Sequence, residues 1–89
     1  MTDWEVSLTS HAAIDLEKMP RRVAPAVVEF LYGPLVKNPM RVGKALIGNL
    51  SGLYSARRGE YRVFYELIED SEVVLVHRIS HRSNAYRPF

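Results

Sequence analysis

The chain has no cysteine, no acidic residue beyond Glu72, and no apolar run approaching the ~20 residues of a membrane span. Each absence removes a class of protein. Without cysteine there is no disulfide framework, no thiolate metal site and no thiol nucleophile. With three histidines and no cysteine, a structural zinc is not expected. The opening Met1-Thr-Asp-Trp-Glu5 is acidic and lacks the basic and apolar regions of a signal peptide. The expected location is therefore the cytoplasm, with no membrane partner. There is also no repeat, linker or low-complexity stretch to divide the chain.

What is present fits one folded domain spanning residues 1–89, with 47% apolar residues and charges of both signs. A chain this short supports a single core, built by one sheet and a pair of helices. The net charge of +2 is unevenly placed. Residues 1–36 carry five carboxylates and three Lys/Arg, whereas residues 37–89 carry five carboxylates and nine Lys/Arg. The carboxyl half is thus expected to face an anionic partner.

Trp4–Thr9 alternates apolar and polar residues, as a half-buried strand does. Thr9 or Ser10 can cap a helix that carries Ala13, Leu16 and Met19 (or Ile14) at helical spacing and ends at Pro20. A second helix is predicted from about Arg21 or Arg22 to Tyr32, with Pro25 in its first turn and Gly33-Pro34 stopping it. Leu35-Val-Lys37 can add another turn. From Asn38 to Gly52 the Pro, Gly and Asn punctuation reads as loop. Strands follow at 53–57, 60–68 and 72–79, the last strongly β-branched. The predicted class is α+β in the order β-α-α-β-β-β. It is a small mixed or antiparallel sheet with a helical hairpin on one face and the other face open. Alternation places Tyr61, Val63, Tyr65 and Leu67 on one side and Arg62, Phe64, Glu66 and Ile68 on the other. In the last strand it groups Arg78 with Val74 and Val76, opposite Val73, Leu75, His77 and Ile79. Arg62 is expected to project from the middle of its strand.

The tail His81-Arg-Ser-Asn-Ala-Tyr-Arg-Pro-Phe89 is poor material for a core and good material for handling a phosphodiester. Histidine, with an unperturbed pKa of ~6.5, exchanges protons at neutral pH. Arginine presents a fork of donors that matches phosphate oxygens. Tyrosine can stack on a base or share a proton. Arg62, inside the aromatic run Tyr61-Arg-Val-Phe-Tyr65, adds a second cation. Each has a plainer reading. Arg62 can pair with Glu60, Glu66 or Glu29, Arg82 can be a solvated tail residue, and Tyr86 can pin the tail by its ring. His77 reads as a strand histidine and His11 as a helix-start residue.

Three segments occur in order: Arg41-Val-Gly-Lys-Ala-Leu46, Leu50–Tyr65 with its Arg-x-Gly-x-Tyr-Arg-x-x-Tyr pattern, and His77–Arg87 with its His-Arg-x-x-x-Tyr-Arg ending. Together they resemble the RelE branch of the RelE/ParE toxin superfamily over essentially the whole chain. The resemblance implies the toxin of a type II toxin–antitoxin pair. Such a toxin cuts mRNA in the ribosomal A site by 2′-OH attack on the adjacent phosphodiester, with no metal or cofactor. It implies a catalytic set of Arg62, Arg82, His81 and Tyr86, with Arg41, Lys44, Arg57 and Arg87 holding RNA. The implied partners are a cognate antitoxin and the ribosome with its mRNA and rRNA. The toxin–antitoxin complex would bind operator DNA through the antitoxin. Ser55 stands where many relatives have a further Lys or Arg. The spacing from Arg82 to Tyr86 is shorter than in some members, and the general base is left open. A ParE-like toxin that poisons DNA gyrase without catalysis is the alternative, because the same fold hosts both.

Overall fold

The computed structural model describes residues 3–84. Its first strand, β1 (Glu5–Leu8), alternates exposed and half-buried residues as the sequence pattern requires. Thr9 ends the strand and starts the first helix. Its hydroxyl accepts from the Ala12 N–H at 3.1 Å and donates to the His77 carbonyl at 3.1 Å. One side chain thus caps α1 (Ser10–Lys18) and ties it to the last strand. Helix α2 (Ala24–Tyr32) carries Pro25 in its first turn, where a missing N–H costs nothing. It starts later than expected because residues 21–23 form a turn, closed by the Val23 N–H on the Pro20 carbonyl at 2.9 Å. Two single-turn helices follow, α3 (Pro34–Lys37) and α4 (Pro39–Val42), each opened by a proline.

The remaining elements are mainly strands: β2 (Gly43–Ala45), β3 (Tyr54–Arg58), β4 (Tyr61–Ile68) and β5 (Val73–His81). The five described strands lie in the order β1-β5-β4-β3-β2. β1 runs parallel to β5, and the other three pairings are antiparallel. This is the expected mixed sheet with one strand more. β2 falls where the sequence reads as loop. Three residues with little strand propensity become a strand because β3 offers them an edge, pairing Gly43 with Ala56 and Lys44 with Ser55. Gly43 is required there, since a Cβ would run into the Tyr65 hydroxyl.

That hydroxyl donates to the Pro39 carbonyl at 2.5 Å, so an interior strand holds the chain leading into the sheet edge. The Tyr65 ring is fully buried and stacks on Tyr54 at 5.6 Å. Burial, helped by neighbouring Tyr54, pushes the phenol well above the usual tyrosine range, so it remains a donor.

The helices cover one face of the sheet. Val27, Leu31 and Leu35 pack there with Ala56, Val63, Tyr65, Val74 and Val76. The expected face assignment for β4 is the observed one, but that for β5 is not. The β4–β5 register slips between Phe64 and Tyr65, so Tyr65 pairs with Val76 and Phe64 with Arg78. The extra residue in β5 reverses the alternation beyond it. Ile79 consequently joins Val74 and Val76 in the core, and Arg78 turns to the open face. β1 pairs with β5 only as far as Val76, and α1 serves the strand edge beyond it. The Asp15 carboxylate accepts the Ile79 N–H at 2.9 Å.

Candidate functional site

The pairing that builds the core also assembles the opposite face. Residues directly across an antiparallel ladder project to the same side. One row across that open face is Lys44, Ser55, Phe64 and Arg78, contributed by β2, β3, β4 and β5. The next row is Arg57, Arg62 and Ser80. Phe64 is fully buried although it stands apart from the helix-side core. Ser55 is also buried, and its Oγ makes no hydrogen bond among the described residues. Ser55 therefore lies inside this row, between Lys44 and Phe64.

Arg62 is the second residue of β4, beside the hairpin turn, and not at mid-strand as expected. The turn is Gly59-Glu60, with Gly59 at φ 61°, a conformation that suits glycine at the first position of a two-residue hairpin. It places Glu60 against the end of β5. The Arg82 N–H donates to the Glu60 carbonyl at 2.7 Å, and the Arg82 Nε lies 2.9 Å from the Glu60 Oε2. A cleft of about 100 Å³ results, lined by Arg57, Gly59, Glu60, Tyr61, Arg62 and Arg82. Three of the predicted cations thus meet at one place.

His81 is not seated in that cleft. It pairs with Tyr61 on the helix side, edge-on to the Tyr61 ring at 5.4 Å, and lines a separate cleft with His11, Asp15, Arg78 and Ser80. Its Nδ1 accepts the Ser83 N–H at 3.2 Å, and in the neutral ring an accepting Nδ1 leaves the proton on Nε2. That Nε2 lies 3.7 Å from the Glu60 carboxylate, so Glu60 links His81 to the arginine cleft. His77 is held by Glu66 at 3.0 Å, as a strand histidine with a partner. His11 sits 3.0 Å from Asp15.

Lys44 lies on the edge strand β2 and not in a loop, while Arg41 is exposed on α4. Tyr86 and Arg87 lie outside the described residues. Sequence reasoning misses Arg78, because simple alternation puts it on the helix side and no local signal marks the slip. Among the described residues no group of three or more His, Asp or Glu is placed to hold a metal ion.

Comparison with known proteins identifies the family and the fold. Residues 6–86 match the family described as the ParE toxin of type II toxin–antitoxin system, parDE. The chain is 46% identical over 84 residues to the toxin RelE of Mycobacterium tuberculosis, covering 94% of this chain and 87% of that protein. It is 44% identical over 84 residues to the toxin RelG of the same organism, covering 94% and 97%. Among solved structures, it resembles a chain of the toxin–antitoxin complex RelBE2 from Mycobacterium tuberculosis, with a TM-score of 0.88 and 43% identity, covering 91% of this chain and 100% of that one. The isolated E. coli RelE toxin shares the fold at a TM-score of 0.72 and 18% identity, covering 96% and 87%.

Proposed function

The chain belongs to the RelE/ParE superfamily of type II toxins, and from that premise we propose that it is an endoribonuclease that cleaves mRNA in the ribosomal A site. The observation that carries this reading is the convergence of Arg57, Arg62 and Arg82 on one cleft beside the cationic sheet face that the helices do not cover. In the reaction the 2′-OH of the substrate attacks the adjacent phosphorus. The P–O5′ bond breaks, leaving a 2′,3′-cyclic phosphate and a 5′-OH. The nucleophile belongs to the substrate, so the reading requires no metal or cofactor. The protein has to stabilise a doubly charged pentacoordinate phosphorus and move two protons. Arg62 and Arg82 are suited to the first task, and one such fixed donor is worth ~3–4 kcal/mol. His81 is proposed as a proton carrier, although its one link to the arginine cleft among the described residues is the 3.7 Å contact of its Nε2 with Glu60. Tyr86 is proposed to stack on or orient the attacked nucleotide. Lys44, Arg57, Arg41 and Arg87 are proposed to hold the phosphate backbone of mRNA and rRNA.

A cognate antitoxin is the proposed regulator, and several similar structures are toxin–antitoxin complexes. An apolar groove of Val23, Ala26, Val27 and Tyr61, rimmed by Arg22, Arg58 and Glu60, supports docking of an amphipathic segment. The complex would then act on operator DNA through the antitoxin.

Toeprinting of mRNA on programmed ribosomes with the purified protein tests the enzymatic reading. Expected is a new stop within the A-site codon. The ParE description of the matching family keeps the gyrase reading open, and inhibition of gyrase supercoiling without any mRNA stop would establish it instead.

A further inference from the structure

We infer that the Glu60 carboxylate is an internal stand-in for an RNA phosphate, seated against Arg82 in the free protein, and that RNA must displace it to enter the cleft. The inference rests on the proposed RNA-cleaving function and adds a determinant of substrate choice to it. Among the described residues, Glu60 is the one acid lining the cleft that holds Arg57, Arg62 and Arg82. Its Oε2 meets the Arg82 Nε at 2.9 Å, and carboxylate and phosphate oxygens satisfy the same guanidinium donors.

Tethering the tail does not explain the contact. The Arg82 N–H to Glu60 carbonyl bond, at 2.7 Å, already fixes where the chain leaves β5. Stability does not explain it either. The paired side chains are 65% and 60% exposed, and ion pairs so open to water contribute little. What the acid does change is the field of the cleft, which it lowers by one charge until an anion expels it. A phosphate on free RNA gains little from that exchange. An mRNA phosphate held in place by the ribosome arrives at high effective concentration and displaces the acid readily. Glu60 therefore biases the protein against free RNA.

The test is performed on the isolated protein with a fluorescein-labelled single-stranded RNA hexamer, carrying 2′-O-methylribose at every position 5′ to a phosphate so that it cannot be cleaved. Glu60→Gln preserves side-chain size and leaves the backbone bond to Arg82 in place. At ~20 mM salt it is expected to tighten the hexamer about three- to fivefold, the scale of one exposed ion pair, and at ~0.5 M salt the gain should vanish. In an Arg82→Gln background the same change should give less than half that gain. Unchanged or weaker binding by Glu60→Gln, a gain of equal size without Arg82, or no measurable hexamer binding by either protein at low salt would each overturn the inference. A failed toeprint by the unsubstituted protein would instead remove the ribosomal function, and the hexamer measurement would still be decided on its own terms.

Discussion

Arg57 and Arg62 stand directly opposite each other across the β3–β4 ladder, on the face of the sheet that the helices leave open. Like charges in that arrangement oppose sheet pairing by ~0.2–1 kcal/mol. Arg57→Gln should therefore leave the domain as stable or raise its stability by that amount, while weakening its hold on RNA. Urea unfolding and ribosome pelleting, run on the same preparation, check the two halves. A variant that loses stability would show that Arg57 braces the hairpin.

Arg62→Ala is expected to reduce cleavage on programmed ribosomes about 10²–10³-fold, as removal of one fixed donor at a charged transition state does. The fold should persist, because Arg62 lies on the open face and the core forms on the other side. Growth arrest as strong as that of the parent protein, at equal expression, would dismiss Arg62 from the mechanism.

Removing the charge of Lys44, Arg57 or Arg41 should each lower ribosome affinity and flatten its salt dependence. The log–log slope should fall by ~0.7 for each phosphate that is no longer neutralised, the figure for single strands. A parent slope near zero would mean that these residues face solvent.

Ending the chain after Asn84 should abolish cleavage and leave the melting transition within a few degrees of the parent. Ile79 is the last core residue of the described chain, and the bond from Arg82 to the Glu60 carbonyl survives the cut. Near-normal cleavage by this truncated protein would remove Tyr86 and Arg87 from the proposed site.

Tyr65 sets an alkaline limit. Its phenol stays protonated in the folded chain well above the ordinary value of 10.0, at which the unfolded chain ionises. The unfolded state alone then loses the proton, so this contribution is complete below pH 10 and declines as pH rises further. Tyr65→Phe should abolish that decline while lowering stability at pH 7 by ~1–2 kcal/mol, because the Pro39 carbonyl loses its donor. Denaturant midpoints from pH 7 to 11 measure both effects.

The helical part and the long strands are legible in the sequence because each carries its own punctuation. Thr9 caps, Pro20 stops, and the Val73–Ile79 run can hardly be anything but strand. β2 is hidden because nothing in Gly43-Lys-Ala45 prefers a strand, and its conformation is dictated by β3. Arg57, Arg62 and Arg82 can be named from the order of motifs, yet their meeting with Glu60 depends on a two-residue turn and on where β5 ends. By its place in the tail, His81 belongs to the same cluster. The pairing with Tyr61 instead turns its ring to the other side, which a linear string of tail residues does not reveal.

The slip between Phe64 and Tyr65 makes β5 a parity device. Every residue after it owes its direction to one surplus position. Deleting a single residue from His77-Arg78 would remove the surplus position, restore regular pleating and leave Ser80 opposite Arg62 and His81 opposite Tyr61. Arg82 would still arrive at the Glu60 carbonyl. Deleting both would shift the register by one, move Ile79 out of the core, exchange the sides of Ser80 and His81 and bring Arg82 to the hairpin end one step early. Loss of one residue here should therefore leave the cleft assembled, whereas loss of both should abolish cutting.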